Sequence, residues 1–206
     1  FRNAEFQLPN DFVIQSCLKL TGYKKIQLSH HNSVFLPEPG MSISFAAIGK
    51  GYAADQVKKL WKGMGLENGV ISAAGDLCTL GHNASGNVWK IGVANPLNSA
   101  ENIAWIPISD AAIATSGDYE QYFMFNHERY SHTINPVNGK PCKSLRSVSV
   151  ISPSAELSDA LATAVYVLGI ENGLFLINQL PGTHTLIVDE FNKVHLSENS
   201  IFEYEK

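Results

Sequence analysis

The stretch "SDALATAVYVLG" at residues 158–169 constrains this chain most, because a helix so apolar must be buried. Within it, Asp159 and Thr163 lie four residues apart and therefore share one helix face. A buried carboxylate without a partner is costly, so something must meet Asp159. Two partners are open at this point. If Asp159 stands at the helix start, backbone N–H groups and the helix dipole favour its charge. A bound cation would serve equally well.

The segments around this helix read as hairpins. "KKIQLS" and "SVFL" pair across "HHN", and "YEQYFMFN" and "ERYSHTI" pair across Asn126–His127. Short strands "GVISAA", "VWKIGVA", "IAWIPI" and "AAIAT" follow one another between the turns "GHNASGN" and "NPLN", and "RSVSVIS" alternates as a strand. "HTLIVD" and "KVHLS" form a last pair. Helices are expected over 9–23, where Asn10 can cap and Gly22 stop the helix, over 50–64 ahead of Gly65, and over 171–180. Strands clustered in hairpins, with helices inserted between the groups, predict an α+β fold of mainly antiparallel sheets with packed helices. No repeat or linker divides the 206 residues, so a single domain over 1–206 is expected.

Charge and cysteine usage narrow the function. A net charge of -4 gives no electrostatic footprint for nucleic acid or an anionic membrane. The apolar runs fall short of a membrane span. Cys17, Cys78 and Cys142 are widely spaced and form neither a disulfide framework nor a zinc site. "FRNAEF" at the first residues reads as the middle of a longer sequence, so it says nothing about targeting.

Four segments can carry chemistry. In "AAIGKGYAAD" (46–55), Gly49, Lys50 and Gly51 open a helix, where backbone N–H groups and a lysine can converge on an anion. The same residues also suit an ordinary strand-to-helix turn with a solvated lysine. Thr115, Ser116 and Gly117 follow a short apolar strand and can contact a flat or phosphorylated ligand, or simply form a polar turn. His132, expected mid-strand, can shuttle a proton or sit half-buried in the sheet. Asp159 and Thr163 offer hard oxygen donors of the kind Mg²⁺ prefers, and with the lysine-bearing helix start they point to a magnesium–diphosphate site.

In this order, "GKGYAAD", "AAGDL", "ATSGDYEQYF", "YSHTINPVNGKP" and "SVSVISPSAELSDALATAVYVLG" resemble the FAD:protein FMN transferases, the ApbE flavin transferase or thiamine-biosynthesis lipoprotein family. The resemblance runs from about Asn10 to Ile201 and implies that an N-terminal part of the family domain is absent here. It implies an enzyme that binds FAD with Mg²⁺ and transfers FMN to a threonine hydroxyl of a target protein, releasing AMP. By the same likeness Asp159, Thr163 and the carbonyl of Ala47 hold the metal. Ser44, Lys50 and Ile134 fall on FAD-contacting positions, and Thr115, Ser116, Gly117 and His132 line the same cleft. Asp159 or His132 would accept the hydroxyl proton, with Asp159 preferred.

Partners and location follow from the resemblance too: FAD, an acceptor flavoprotein of an electron-transport complex, and an extracytoplasmic, periplasmic site reached through a lipid anchor that this sequence lacks. Departures from the family pattern are specific. "SFAAIGKG" stands for "DLGGIAKG", so Ser44 replaces an Asp that contacts FAD, and Asn135 replaces the Asp of "DPRTG". These departures keep two other readings in view: a flavin-binding or interaction member without transfer chemistry, and a Mg²⁺-dependent FAD diphosphatase.

Overall fold

The computed structural model describes residues 9–118, 122–125 and 128–204. Helix α1 (Asp11–Leu20) starts where Asn10 accepts the Val13 N–H at 3.0 Å, as its sequence predicts. A 3-10 turn at Tyr23–Lys25 takes the beginning of the expected hairpin, leaving β1 (Gln27–Leu28) paired with β2 (Val34–Phe35). Helix α2 (Gly49–Gly63) then leads to β3 (Gly69–Ala73) and β4 (Asp76–Leu80).

Strand β4 was not anticipated in the sequence. Its signal is the dipeptide Ala74–Gly75, where φ angles of 52° and 103° make a two-residue hairpin turn of the kind that suits strand twist. Next come β5 (Trp89–Asn95) and β6 (Asn98–Ile108), the latter longer than the apolar core "IAWIPI" alone indicates. Strand β7 (Ala112–Gly117) is followed by the hairpin β8 (Tyr122–Phe125) and β9 (Glu128–Ser131). The turn expected at Asn126–His127 lies outside the described residues. The chain closes with β10 (Leu145–Ser152), α3 (Ala155–Leu168), α4 (Ile170–Ile177), β11 (His184–Asp189), β12 (Val194–Leu196) and β13 (Glu203–Tyr204).

The expected α+β architecture is present. Six antiparallel strands in the order β12-β11-β10-β7-β4-β3 make the central sheet, and β13-β6-β5 make a second one. Side-chain alternation explains the layering. Ala114, Val148, Val150 and Ile187 face α3 and α4, whereas Ile113, Ile151, Leu186 and Val188 face β5 and β6. Being covered on both faces, β10 reads as a nearly unbroken buried run.

Helix α3 begins earlier than its apolar stretch. Ser154 caps it by accepting the Leu157 N–H at 3.2 Å, so Asp159 sits in its second turn and is not the cap. The helix start has a further partner 100 residues away in sequence: Asp55 of α2 accepts the N–H groups of Ala155 and Glu156, each at 3.0 Å. The aspartate of "GKGYAAD" therefore ties α2 to α3. Asp55→Ala is expected to cost about 2 kcal/mol, two orphaned helix-start donors being the cause, and urea unfolding would read it as a lower midpoint with an unchanged slope.

Candidate active site

The first turn of α2 lies against α3 because Gly51 has no side chain. A Cβ there would stand 2.2 Å from the Ala155 carbonyl oxygen. At this crossing the Gly51 N–H donates to Asp159 Oδ2 at 3.1 Å, and the Lys50 ammonium donates to Asp159 Oδ1 at 3.1 Å. Asp159 is only 2% exposed, so its charge is met by a backbone donor and a cation from another element. Of the two partners open in the sequence, the cap is Ser154 instead, and the cation that meets Asp159 in this structure is the Lys50 ammonium.

A second carboxylate shares the lysine. Asp76, the first residue of β4, is also 2% exposed and places Oδ2 3.1 Å from the Lys50 ammonium. This contact is an ion pair, and Oδ2 has no other hydrogen-bond partner. Asp76 is not among the residues expected from the sequence, although a carboxylate set directly behind a tight hairpin turn is a signal for it.

Burial and the neighbouring Asp159 charge push the Asp76 carboxyl up to about 6, against the pull of Lys50. Burial draws the Lys50 ammonium down, but its two carboxylates outweigh that and leave it raised. For Asp76, a folded pKa above its ordinary 3.8 means the native state holds the extra proton between those values. Its contribution is fully present below about 4 and is lost as pH rises through about 6. Urea unfolding from pH 4 to 7 should show that decline superimposed on the other groups, and Asp76→Asn should flatten it.

Lys50, Thr115 and His132 line one cleft of about 640 Å³, together with Ala46, the Ala74–Gly75 turn and residues 91–94 of β5. Thr115, Ser116 and Gly117 lie within β7 and do not follow it, because the ladder to β10 extends as far as Gly117↔Ser147. Strand alternation separates them. Thr115 reaches the cleft and shares a 2.8 Å hydrogen bond with Ser149, while Ser116 turns to α3 and shares one of 3.1 Å with Thr163. Gly117 is buried.

His132 stands just beyond β9 and is not mid-strand, since the β8–β9 ladder ends at Ser131. Ile134 bridges Pro141 and lines a different cavity with Phe123 and Tyr130. Ser44 is exposed and lines a third cavity beside α1 and the Gly40–Ser44 segment. Ala47 is exposed in the turn leading into α2. Asn135 keeps its local role by accepting the Val137 N–H at 2.9 Å, while Gly139 takes φ +69° at the turn's end.

Asp159 and Thr163 present a carboxylate and a hydroxyl on consecutive turns of α3, and an ammonium already stands against the carboxylate as a cation. That donor chemistry fits Mg²⁺. Among the described residues no group of three or more His, Cys, Asp or Glu side chains is placed to hold a metal, so further ligands would come from backbone, water or substrate.

Known proteins share this arrangement of elements. The crystal structure of the ApbE protein of Thermotoga maritima matches with a TM-score of 0.88 at 33% identity, covering 97% of this chain and 65% of that one. The apo form of the flavinyl transferase ApbE of Pseudomonas stutzeri matches at 0.81 and 28% identity, covering 93% and 60%. Among curated sequences, the FAD:protein FMN transferase of Klebsiella pneumoniae is 32% identical over 193 residues, 92% of this chain and 59% of that protein. The chain therefore spans less than two thirds of the length of these relatives. The model of the ApbE family matches residues 1–187. With that match running over most of its length, on a fold shared with solved ApbE structures, the chain belongs to the ApbE family.

Proposed function

We propose that the chain acts as a Mg²⁺-dependent FAD:protein FMN transferase, moving FMN from FAD to a threonine hydroxyl of an acceptor flavoprotein and releasing AMP. The observation that carries this reading is the buried Asp159 held by Gly51 and by Lys50, the lysine itself lining the 640 Å³ cleft. The name FAD:protein FMN transferase, borne by the curated relatives, supports it.

Breaking the diphosphate of FAD develops negative charge on the bridging oxygen as AMP departs. Asp159, Thr163 and the Ala47 carbonyl are the residues that would hold Mg²⁺, which when bound supplies positive charge to the phosphate oxygens. Lys50 adds a cation from α2 at the cleft wall and draws the diphosphate there. Ser116 holds the Thr163 hydroxyl at 3.1 Å and so restricts its rotation on α3.

For the acceptor threonine, the chain must remove a proton and hold the oxygen in line with the FMN phosphorus. Both Asp159 oxygens already accept hydrogen bonds, from Lys50 and from Gly51. His132 lines the same cleft as Lys50 and Thr115, and in this reading it is the proton acceptor while Asp159 serves the metal. An acceptor within an electron-transport complex, and an extracytoplasmic location through a lipid anchor, are proposals resting on the family likeness alone.

The test is incubation of the protein with FAD, Mg²⁺ and a threonine-containing acceptor domain. Covalent flavin fluorescence on the acceptor with stoichiometric AMP is expected. AMP with free FMN would replace transfer by hydrolysis, and bound FAD without either product would leave a binding module.

A further inference from the structure

We infer that Asp76 is a positioning residue that keeps the Lys50 ammonium in the cleft when Asp159 is drawn to a divalent cation. The inference rests on the reading above, in which Lys50 serves the diphosphate and Asp159 a metal. Lys50 Nζ lies 3.1 Å from Asp159 Oδ1 and 3.1 Å from Asp76 Oδ2, so one ammonium lies between two buried carboxylates. The two attachments differ in what else the carboxylate does. Asp159 also accepts the Gly51 N–H, and Thr163 follows one turn later on the same helix face, which makes it the carboxylate with a second oxygen donor beside it.

A divalent ion at Asp159 carries the same sign as the ammonium and competes for the same carboxylate. Lys50 must then loosen from Asp159, and its aliphatic stem, starting in the first turn of α2, leaves it free to swing towards solvent. Its side chain is 35% exposed, so water is within reach. Asp76 opposes that escape. It is 2% exposed, and it is rigidly placed, being the first residue after the Ala74–Gly75 turn, whose two residues themselves line the cleft. Its Oδ2 already stands 3.1 Å from the ammonium and has no other partner, so this contact can hold the ammonium when it turns away from Asp159.

The test is a double-mutant cycle of Asp76→Asn and Lys50→Ala in the full 206-residue chain. FAD affinity is read by flavin fluorescence without acceptor protein, with saturating Mg²⁺ and again with a chelator. With Mg²⁺, Asp76→Asn should weaken FAD binding about tenfold, and the double variant should bind no worse than Lys50→Ala alone. With chelator, where Asp159 still holds the lysine, Asp76→Asn should change affinity by less than about twofold.

Losses that multiply in the double variant, or an equal Asp76→Asn loss without Mg²⁺, would overturn the positioning role and show a structural one. Lys50→Ala without effect on FAD binding would instead overturn the role given to Lys50 under the proposed function. Should Asp76→Asn fail to fold, the wild-type crystal structure with Mg²⁺ decides. The ammonium should sit on Asp76 and off Asp159, and an ammonium still bound to Asp159 overturns the inference.

Discussion

Asp159→Ala should reduce Mg²⁺-dependent AMP release from FAD by about a thousandfold or more while leaving the protein folded. The two halves of that expectation have different origins. For activity, the substitution removes the partner of Lys50, the acceptor of the Gly51 N–H and the carboxylate assigned to the metal. For stability, several effects offset one another. Lys50 keeps its contact with Asp76 and is 35% exposed, so screening discounts the lost ion pair. Alanine is also the better helix former in the interior of α3. The orphaned Gly51 N–H works against these, so the net loss should be about 1–2 kcal/mol, readable from urea midpoints. Asp159→Asn should be equally inactive, since it keeps an acceptor for Gly51 but no charge. Substantial Mg²⁺-dependent turnover in a folded Asp159→Ala protein would remove the site proposed here.

What the sequence revealed and what it hid divide along the range of the interaction concerned. The Asp159–Thr163 pair was legible because helical periodicity is local, and both residues do share a face of α3. The Asn10 cap is legible for the same reason. Asp159 could not be told from a helix cap, because the groups that actually satisfy the start of α3 are Ser154 and the distant Asp55.

Strand β4 and Asp76 are hidden together, because the glycine-bearing turn before them belongs to the motif "AAGDL" and its hairpin geometry shows only in the fold. His132 and Ile134 are two residues apart in sequence but line different cavities, because the chain leaves β9 at Ser131 and turns. Which residues near a motif share a cavity depends on where each strand ends, and strand ends are set by partners elsewhere in the sheet.

Those long-range contacts make Gly51 the position where a single methyl group should do most damage. Gly51→Ala places a Cβ 2.2 Å from the Ala155 oxygen, 2.5 Å from its carbonyl carbon and 2.7 Å from the Glu156 Cα. All three are backbone atoms of α3, so no side chain can rotate away, and the helices must separate. Separation stretches the Gly51–Asp159 hydrogen bond and withdraws Asp55 from the Ala155 and Glu156 N–H groups. Overpacking together with these losses should destabilise the protein by about 3 kcal/mol, lowering Tm by roughly 6–12 °C in a chain of this length. The sign is diagnostic, since intrinsic helix propensity alone would make alanine stabilising here by up to about 1 kcal/mol. Gly49→Ala is the matched control, two residues earlier in the same turn and with nothing within 4 Å of a Cβ. It should leave Tm unchanged or slightly raised. A Gly51→Ala protein that melts with its Gly49→Ala counterpart would mean that α2 and α3 do not meet at this crossing, and Lys50 would then have no fixed route to Asp159.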